Sequence, residues 1–85
     1  MSLVGGDPEQ LASLRALFES QAGQVQELTS AIRNQLANTN WQGPTADRFR
    51  DTWHTEYERV LNALSQALVD AGQEVQRAYQ KLMQY

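Results

Sequence analysis

Apolar residues in the first half of the chain recur at steps of three, four and seven, the pattern of one face of an α-helix. They are Leu11, Leu14, Phe18, Val25, Leu28, Ile32 and Leu36. Asp7 suits an N-cap and Pro8 suits the first helical position, and asparagines at 38 and 40 suit a left-handed C-cap. The sequence therefore predicts a first helix over about 7–38.

A second apolar stripe begins just after Pro44 and continues to the end of the chain. Its members are Ala46, Phe49, Trp53, Tyr57, Val60, Leu64, Leu68, Ala71, Val75, Ala78 and Leu82. Placed every 100°, these residues form one continuous face of a helix, with Gly72 as a weak point that costs about 1 kcal/mol relative to alanine. We predict a second helix over about 44–84.

Between the two stripes, the tripeptide Trp41-Gln42-Gly43 interrupts the helical pattern. A bulky indole, a flexible glycine and a helix-starting proline suit a tight helix–helix corner. Residues 39–43 are therefore predicted to fold the chain into an all-α hairpin of two long antiparallel helices. We interpret Trp41 and Gly43 as its corner motif, with Trp41 plugging the end of a bundle and compatible with a further role in recognition.

A lone hairpin has no enclosed centre, because each helix touches only one neighbour. The apolar stripes are also wider than a two-helix seam needs, and small domains without disulfides or metals usually require more apolar contact. A second hairpin, from a copy or a relative, would complete an antiparallel four-helix bundle. The residues predicted to form the core and dimer interface are Leu11, Leu14, Phe18, Val25, Leu28, Ile32, Leu36, Phe49, Trp53, Tyr57, Val60, Leu64, Leu68 and Val75.

Composition limits the function classes. The 85 residues predict a single domain over 7–85 behind a flexible lead over 1–6, and no apolar run reaches the ~18 residues of a membrane span. The net charge of −3, the pI near 4.9 and the lack of a basic patch argue against nucleic acid. Cysteine is absent, which excludes disulfides and thiolate chemistry. The N-terminal residues do not resemble a secretory signal, so we expect either a cytoplasmic protein or export by another route.

The candidate chemistry centres on His54, the single histidine. Asp47, Asp51 and Glu58 lie at helical spacing from it, and carboxylates with an imidazole are suitable ligands for a divalent cation. However, this face points more than 100° away from the apolar stripe, where we expect it to be solvated. The sequence therefore predicts no metal site, no cofactor and no catalytic residue, and the protein is not expected to be an enzyme.

The segment Trp41-Gln42-Gly43-Pro44-Thr45-Ala46-Asp47-Arg48-Phe49 at the centre of a helical hairpin resembles the WXG family of early-secreted-antigen-like type VII secretion substrates. The resemblance covers nearly the whole chain from Asp7. It implies a homodimer, or a heterodimer with a related WXG-type protein, that leaves the cytoplasm folded through a machine driven by a membrane ATPase. It also implies association with virulence in some members and no shared catalytic activity.

One feature of the resemblance is missing. The family's export signal is commonly Tyr-x-x-x-Asp/Glu after the second helix, but Tyr57 is followed four residues later by Leu61, and Tyr79 by Met83. A partner supplies the signal, or the natural chain is longer, or the protein is not itself a direct substrate. The main hypothesis is a secreted dimer subunit; the alternatives are an intracellular adaptor or chaperone and, far behind, a metal protein using His54.

Overall fold

The computed structural model describes residues 5–84. Residues 1–4 of the predicted flexible lead, and Tyr85 at the end of the predicted domain, lie outside the described residues. The elements are helix α1 (Pro8–Asn38), helix α2 (Pro44–Thr52), a π-helical turn (Trp53–Tyr57) and helix α3 (Glu58–Leu82). The last three follow one another without a break, and together we call them the second arm (44–82).

Both arms start with residues suited to that position. The Oδ1 atom of Asp7 accepts hydrogen bonds from the backbone N–H groups of Glu9 at 2.9 Å and Gln10 at 3.3 Å, which satisfies two donors that a helix start leaves unpaired. The second arm starts at Pro44, directly after Gly43, whose φ of +113° is one that other residues rarely adopt. The corner therefore depends on a glycine at 43.

Three contacts show that the two arms run antiparallel. Going along α1 from Phe18 through Ala22 to Arg33, the residues contacted on α3 run backwards from Gly72 through Ser65 to Glu58. The resulting body measures 65 × 21 × 13 Å, and residues 5–84 contain no β-strand. The predicted all-α hairpin of two long antiparallel helices is confirmed.

Most of the buried residues between the arms are small or polar, and larger apolar residues beside them are half-buried. Ser65 Oγ donates to the backbone carbonyl of Ala22 at 3.0 Å across the hairpin, and Thr29 Oγ1 donates within α1 to Val25 at 2.7 Å. A Cβ atom added at Gly72 would lie 3.3 Å from Phe18 Cβ, so the arms approach closely there. Among residues 5–84, no large side chain is completely buried.

None of the helices in the described range has a stretch long and apolar enough to cross a membrane.

Candidate functional site

The corner of the hairpin is held by Arg50. Its guanidinium donates from Nη1 to the carbonyl of Trp41 at 2.7 Å, and from Nη2 to the carbonyls of Thr39 at 3.0 Å and Leu36 at 3.2 Å. Carbonyls at a helix C-terminus lack partners within the helix and carry partial negative charge. Arg50 therefore binds one carbonyl in the last turn of α1 and two in the corner, and so fixes the corner to the second arm.

This arrangement corrects the expected C-cap. The sequence predicts a left-handed asparagine at residue 38 or 40, but the helix ends at Asn38 and its C-cap residue is Thr39, which has extended backbone angles (φ −83°, ψ 126°). No residue other than glycine has positive φ in the part of the chain that the structure describes. The hydroxyl of Thr39 donates to the carbonyl of Gln35 at 2.6 Å and Arg50 donates to that of Leu36, so these carbonyls are satisfied without a left-handed cap.

Trp41 lies on the outside of this corner. Its ring centroid is 5.6 Å from that of Phe49 in a tilted arrangement, and the Arg50 guanidinium carbon lies 6.0 Å above the ring. The residue remains 38% exposed, so it covers the corner without being enclosed by it. The indole adds aromatic and cation–π contacts and still presents surface to a partner.

The π-helical turn holds a carboxylate between the arms. Glu58 Oε1 accepts from Arg33 Nε at 2.6 Å and from Trp53 Nε1 at 3.0 Å, and Oε2 lies 3.3 Å from His54 Nδ1. The Glu58 side chain is only 12% exposed. The hydrogen bond from Arg33, with smaller contributions from His54 and Trp53, lowers the Glu58 pKa below its ordinary value, although burial opposes the shift.

The position of Glu58 corrects a second expectation. The sequence placed it with Asp47 and Asp51 on a solvated face, but it points toward α1, because the π-helical turn advances the chain by one residue. His54 is about half exposed. Within residues 5–84, no three histidine, aspartate or glutamate side chains converge as metal ligands.

The predicted core and interface residues separate into two groups within the hairpin. Trp53 and Val25 are buried, and the half-buried members are Leu11, Phe18, Leu36, Leu68 and Val75. The remaining members are exposed, namely Leu14, Leu28, Ile32, Phe49, Tyr57, Val60 and Leu64. The exposed group, with Leu17, is called the exposed apolar face below; whether a partner covers it stays a prediction.

Members of the exposed apolar face lie on the same side of the hairpin. On both arms, each one directly precedes a residue turned toward the other arm: Leu28 precedes buried Thr29, and Leu64 precedes Ser65. Each exposed residue is therefore rotated by 100° from its inward-facing neighbour, in the same direction around both helices. Two antiparallel helices are related by a two-fold axis perpendicular to the plane that contains them. The same rotation on both helices therefore places the exposed residues of α1 and of the second arm on one side of that plane.

The chain matches the family model WXG100, described as proteins of 100 residues with WXG, over residues 5–85. It belongs to the WXG100 family. Members are small helical proteins of the secreted type, associated with type VII secretion systems, and typically form dimers. No curated protein and no solved structure matches the chain. The resemblance carried by Trp41 and Gly43 is therefore confirmed at the level of the family.

Sequence reasoning missed four residues that fix the hairpin: Arg33, Arg50, Glu58 and Ser65. Arg50 stands next to Asp51 and near Asp47 and resembled part of a solvated surface, and Arg33 is a single charge beside polar Asn34. A signal for the others was present, since Glu58, Ser65 and Gly72 are spaced by seven residues, the repeat of a helix contact. That repeat was hidden by the more apolar stripe one residue earlier.

Proposed function

We propose that this WXG100 chain is one subunit of a dimeric type VII secretion substrate, and that its exposed apolar face packs against a second hairpin to form a four-helix bundle. The single observation that carries the proposal is that face: eight large apolar side chains on one side of the hairpin. Its role is interaction between proteins rather than catalysis. The partner is a copy of this chain or a related hairpin.

The dimensions of the hairpin support a partner. Its smallest extent is 13 Å, close to the ~10–12 Å diameter of one helix with its side chains. A layer one helix thick can bury a few side chains between its arms, such as Trp53, but leaves most large side chains exposed. Covering a fully exposed leucine, valine or phenylalanine stabilises a fold by roughly 1.5–3 kcal/mol, so burying even the exposed part of this face contributes substantially. Contiguous apolar surface of this kind usually marks an interface.

The export signal is proposed to come from the partner. Neither Tyr57 nor Tyr79 is followed four residues later by an acidic residue, whereas the second subunit of a heterodimer can carry that motif. Folded export is physically reasonable when the apolar face of each subunit is covered by the other. Before export the dimer resides in the cytoplasm, and contact with the secretion ATPase takes place through the signal-bearing subunit.

The first test is association. We expect the chain, alone or co-expressed with the product of a neighbouring hairpin gene, to have the mass of a dimer by light scattering. Leu64→Glu places a charge on the exposed apolar face and is expected to abolish the dimer. Asn62→Glu, at an exposed position about 160° around α3 from Leu64, serves as the matched control. A folded monomer under both conditions would contradict the proposal.

The second test is export. Deleting the partner gene is expected to remove the chain from the culture supernatant while leaving it inside the cell. Continued secretion without the partner would show that the chain needs no signal from it. A dimer that never reaches the supernatant, even in the intact strain, would favour the intracellular adaptor.

A further inference from the structure

The second arm changes its helical register at the π-helical turn. Above the turn, buried Ala46 and Trp53 are seven residues apart; below it, Glu58, Ser65 and Gly72 continue at intervals of seven. Glu58 follows Trp53 by five residues, whereas successive contact positions of a heptad pattern are three or four residues apart. The backbone N–H of Glu58 bonds to the carbonyl of Trp53, so one extra residue is accommodated within a single turn.

Without the extra residue in the turn, another set of side chains would point toward α1. Tyr57 would take the place of Glu58, Val60 that of Leu61, and Leu64 that of Ser65. This alternative set is the continuous apolar stripe that the sequence predicts for an uninterrupted helix. The second arm therefore carries two competing stripes one residue apart, and the observed one is the less apolar of the two.

Contacts at Glu58 favour the observed register. In a regular α-helix, residues five apart are separated by about 140° around the axis, which would keep the Trp53 indole away from the Glu58 carboxylate. The π-helical turn brings Trp53 Nε1 within 3.0 Å of Oε1, and the same oxygen is held from the other arm by Arg33 at 2.6 Å. The Glu58 carboxylate can therefore bind both Trp53 and Arg33 of α1 only when the turn is π-helical.

We propose that Glu58 is a register latch: by holding the π-helical turn, it keeps Tyr57, Val60 and Leu64 on the outside, and without it the second arm rotates these side chains toward α1. One state presents the exposed apolar face and the other withdraws its α3 half. That a partner hairpin binds the presented face rests on the proposed function above; the two registers themselves do not depend on it.

Cysteine cross-linking between the arms tests the latch, since the chain has no cysteine of its own. In the observed register the Ser65 hydroxyl lies 3.0 Å from the Ala22 carbonyl, so the pair Ala22→Cys with Ser65→Cys should form an intramolecular disulfide faster than Ala22→Cys with Leu64→Cys. Non-reducing electrophoresis separates this product from links between chains. The readout is the ratio of the two rates.

Glu58→Ala is expected to lower that ratio roughly tenfold or more, because the rates follow the populations of the two registers. Glu56→Ala removes an exposed carboxylate from the same turn and should leave the ratio unchanged. An unchanged ratio in a Glu58→Ala chain that stays helical by circular dichroism overturns the proposal. An equal fall in the Glu56→Ala control overturns it as well.

Changing the length of the turn gives a test that does not depend on Glu58→Ala folding. Deleting the exposed Thr55 removes the extra residue, so the turn should become α-helical and the Ala22–Ser65 preference should survive, now insensitive to Glu58→Ala. Inserting an alanine after Thr55 adds a second extra residue and should abolish the preference. If the deletion abolishes the Ala22–Ser65 preference as the insertion does, the latch is overturned.

These outcomes are separate from the dimer proposal. Cross-linking within one chain reports the register whether or not the protein associates, and light scattering on the same samples reports association. A register change at Glu58 in a chain that never dimerises would support the latch and contradict the proposed function. A dimer whose register stays the same in Glu58→Ala would support the proposed function and contradict the latch.

Discussion

Arg33 and Glu58, 25 residues apart in sequence, join the two arms through a hydrogen bond of 2.6 Å between Nε and Oε1. The pair is partly screened by solvent, since the Arg33 side chain is 45% exposed. Its importance lies in position: it ties α1 to the point where the second arm changes register. The ionised form of Glu58 is the one that accepts all its donors, so the contact depends on pH.

The first prediction follows from the lowered pKa of Glu58. A carboxyl whose folded pKa lies below its unfolded value contributes stability that is present above the unfolded value, 4.5 for glutamate, and is lost as the pH falls through the folded pKa. We expect the melting temperature of the native chain to exceed that of Glu58→Gln at neutral pH and the two to converge in acid.

Thermal unfolding followed by circular dichroism from neutral to acidic pH measures this difference. Glu56→Gln removes a neighbouring exposed carboxylate. Its melting temperature should differ less from that of the native chain, and the difference should change little with pH. A gap between the native chain and Glu58→Gln that widens toward acidic pH would have the wrong sign for this linkage.

The second prediction concerns Arg50. Arg50→Ala leaves the carbonyls of Leu36, Thr39 and Trp41 without their shared donor, and we expect the free energy of unfolding to fall by about 1.5–3 kcal/mol, the range for a hydrogen bond to a charged group. Amide exchange should also accelerate in the last turn of α1. Arg48→Ala, at an exposed position two residues earlier, is the matched control. Equal urea midpoints for the two variants would show that Arg50 does not hold the corner.

The third prediction uses two glycines in helices. Alanine normally stabilises a helix interior by about 1 kcal/mol over glycine, and Gly23→Ala, with nothing within 4 Å of the new methyl group, should show that gain. At Gly72 the methyl group would lie 3.3 Å from Phe18 Cβ, an atom fixed close to the α1 backbone. We therefore expect Gly72→Ala to lower the free energy of unfolding by about 1 kcal/mol or more.

Chemical denaturation of both variants gives the comparison directly. The essential result is that Gly23→Ala raises the free energy of unfolding and Gly72→Ala lowers it. A gain in stability for Gly72→Ala comparable to that for Gly23→Ala would show that the arms separate easily at this point, and that their close approach is not a constraint.

Much of the fold follows from local sequence. Asp7 and Pro8 begin one helix, Gly43 and Pro44 begin the other, and the apolar periodicity specifies helix on both sides of the corner. These are short-range effects, so no knowledge of the partner arm is required. The antiparallel hairpin then follows from the short connection between two long helices.

The π-helical turn could not be predicted in the same way. The stripe through Tyr57, Val60 and Leu64 is more apolar than the one through Glu58, Leu61 and Ser65, so hydrophobicity alone does not identify the residues of the second arm that turn toward α1. The observed register depends on contacts from the other arm, those of Arg33 with Glu58 and of Ala22 with Ser65. For the same reason, the role of Arg50 is visible only when the end of α1 lies beside it.

The final prediction compares the two tryptophans. Trp53 is 8% exposed and donates to Glu58, whereas Trp41 is 38% exposed and rests on Phe49 and Arg50. Removing a buried tryptophan costs about 3–5 kcal/mol, and we expect Trp53→Ala to fall in that range. The cost of Trp41→Ala should be smaller, about 1–2 kcal/mol, because much of its ring already contacts water. Urea unfolding provides both values. If Trp41→Ala keeps most of its stability but loses export, the exposed ring at the corner serves recognition; a cost equal to that of Trp53→Ala would instead make it a structural residue.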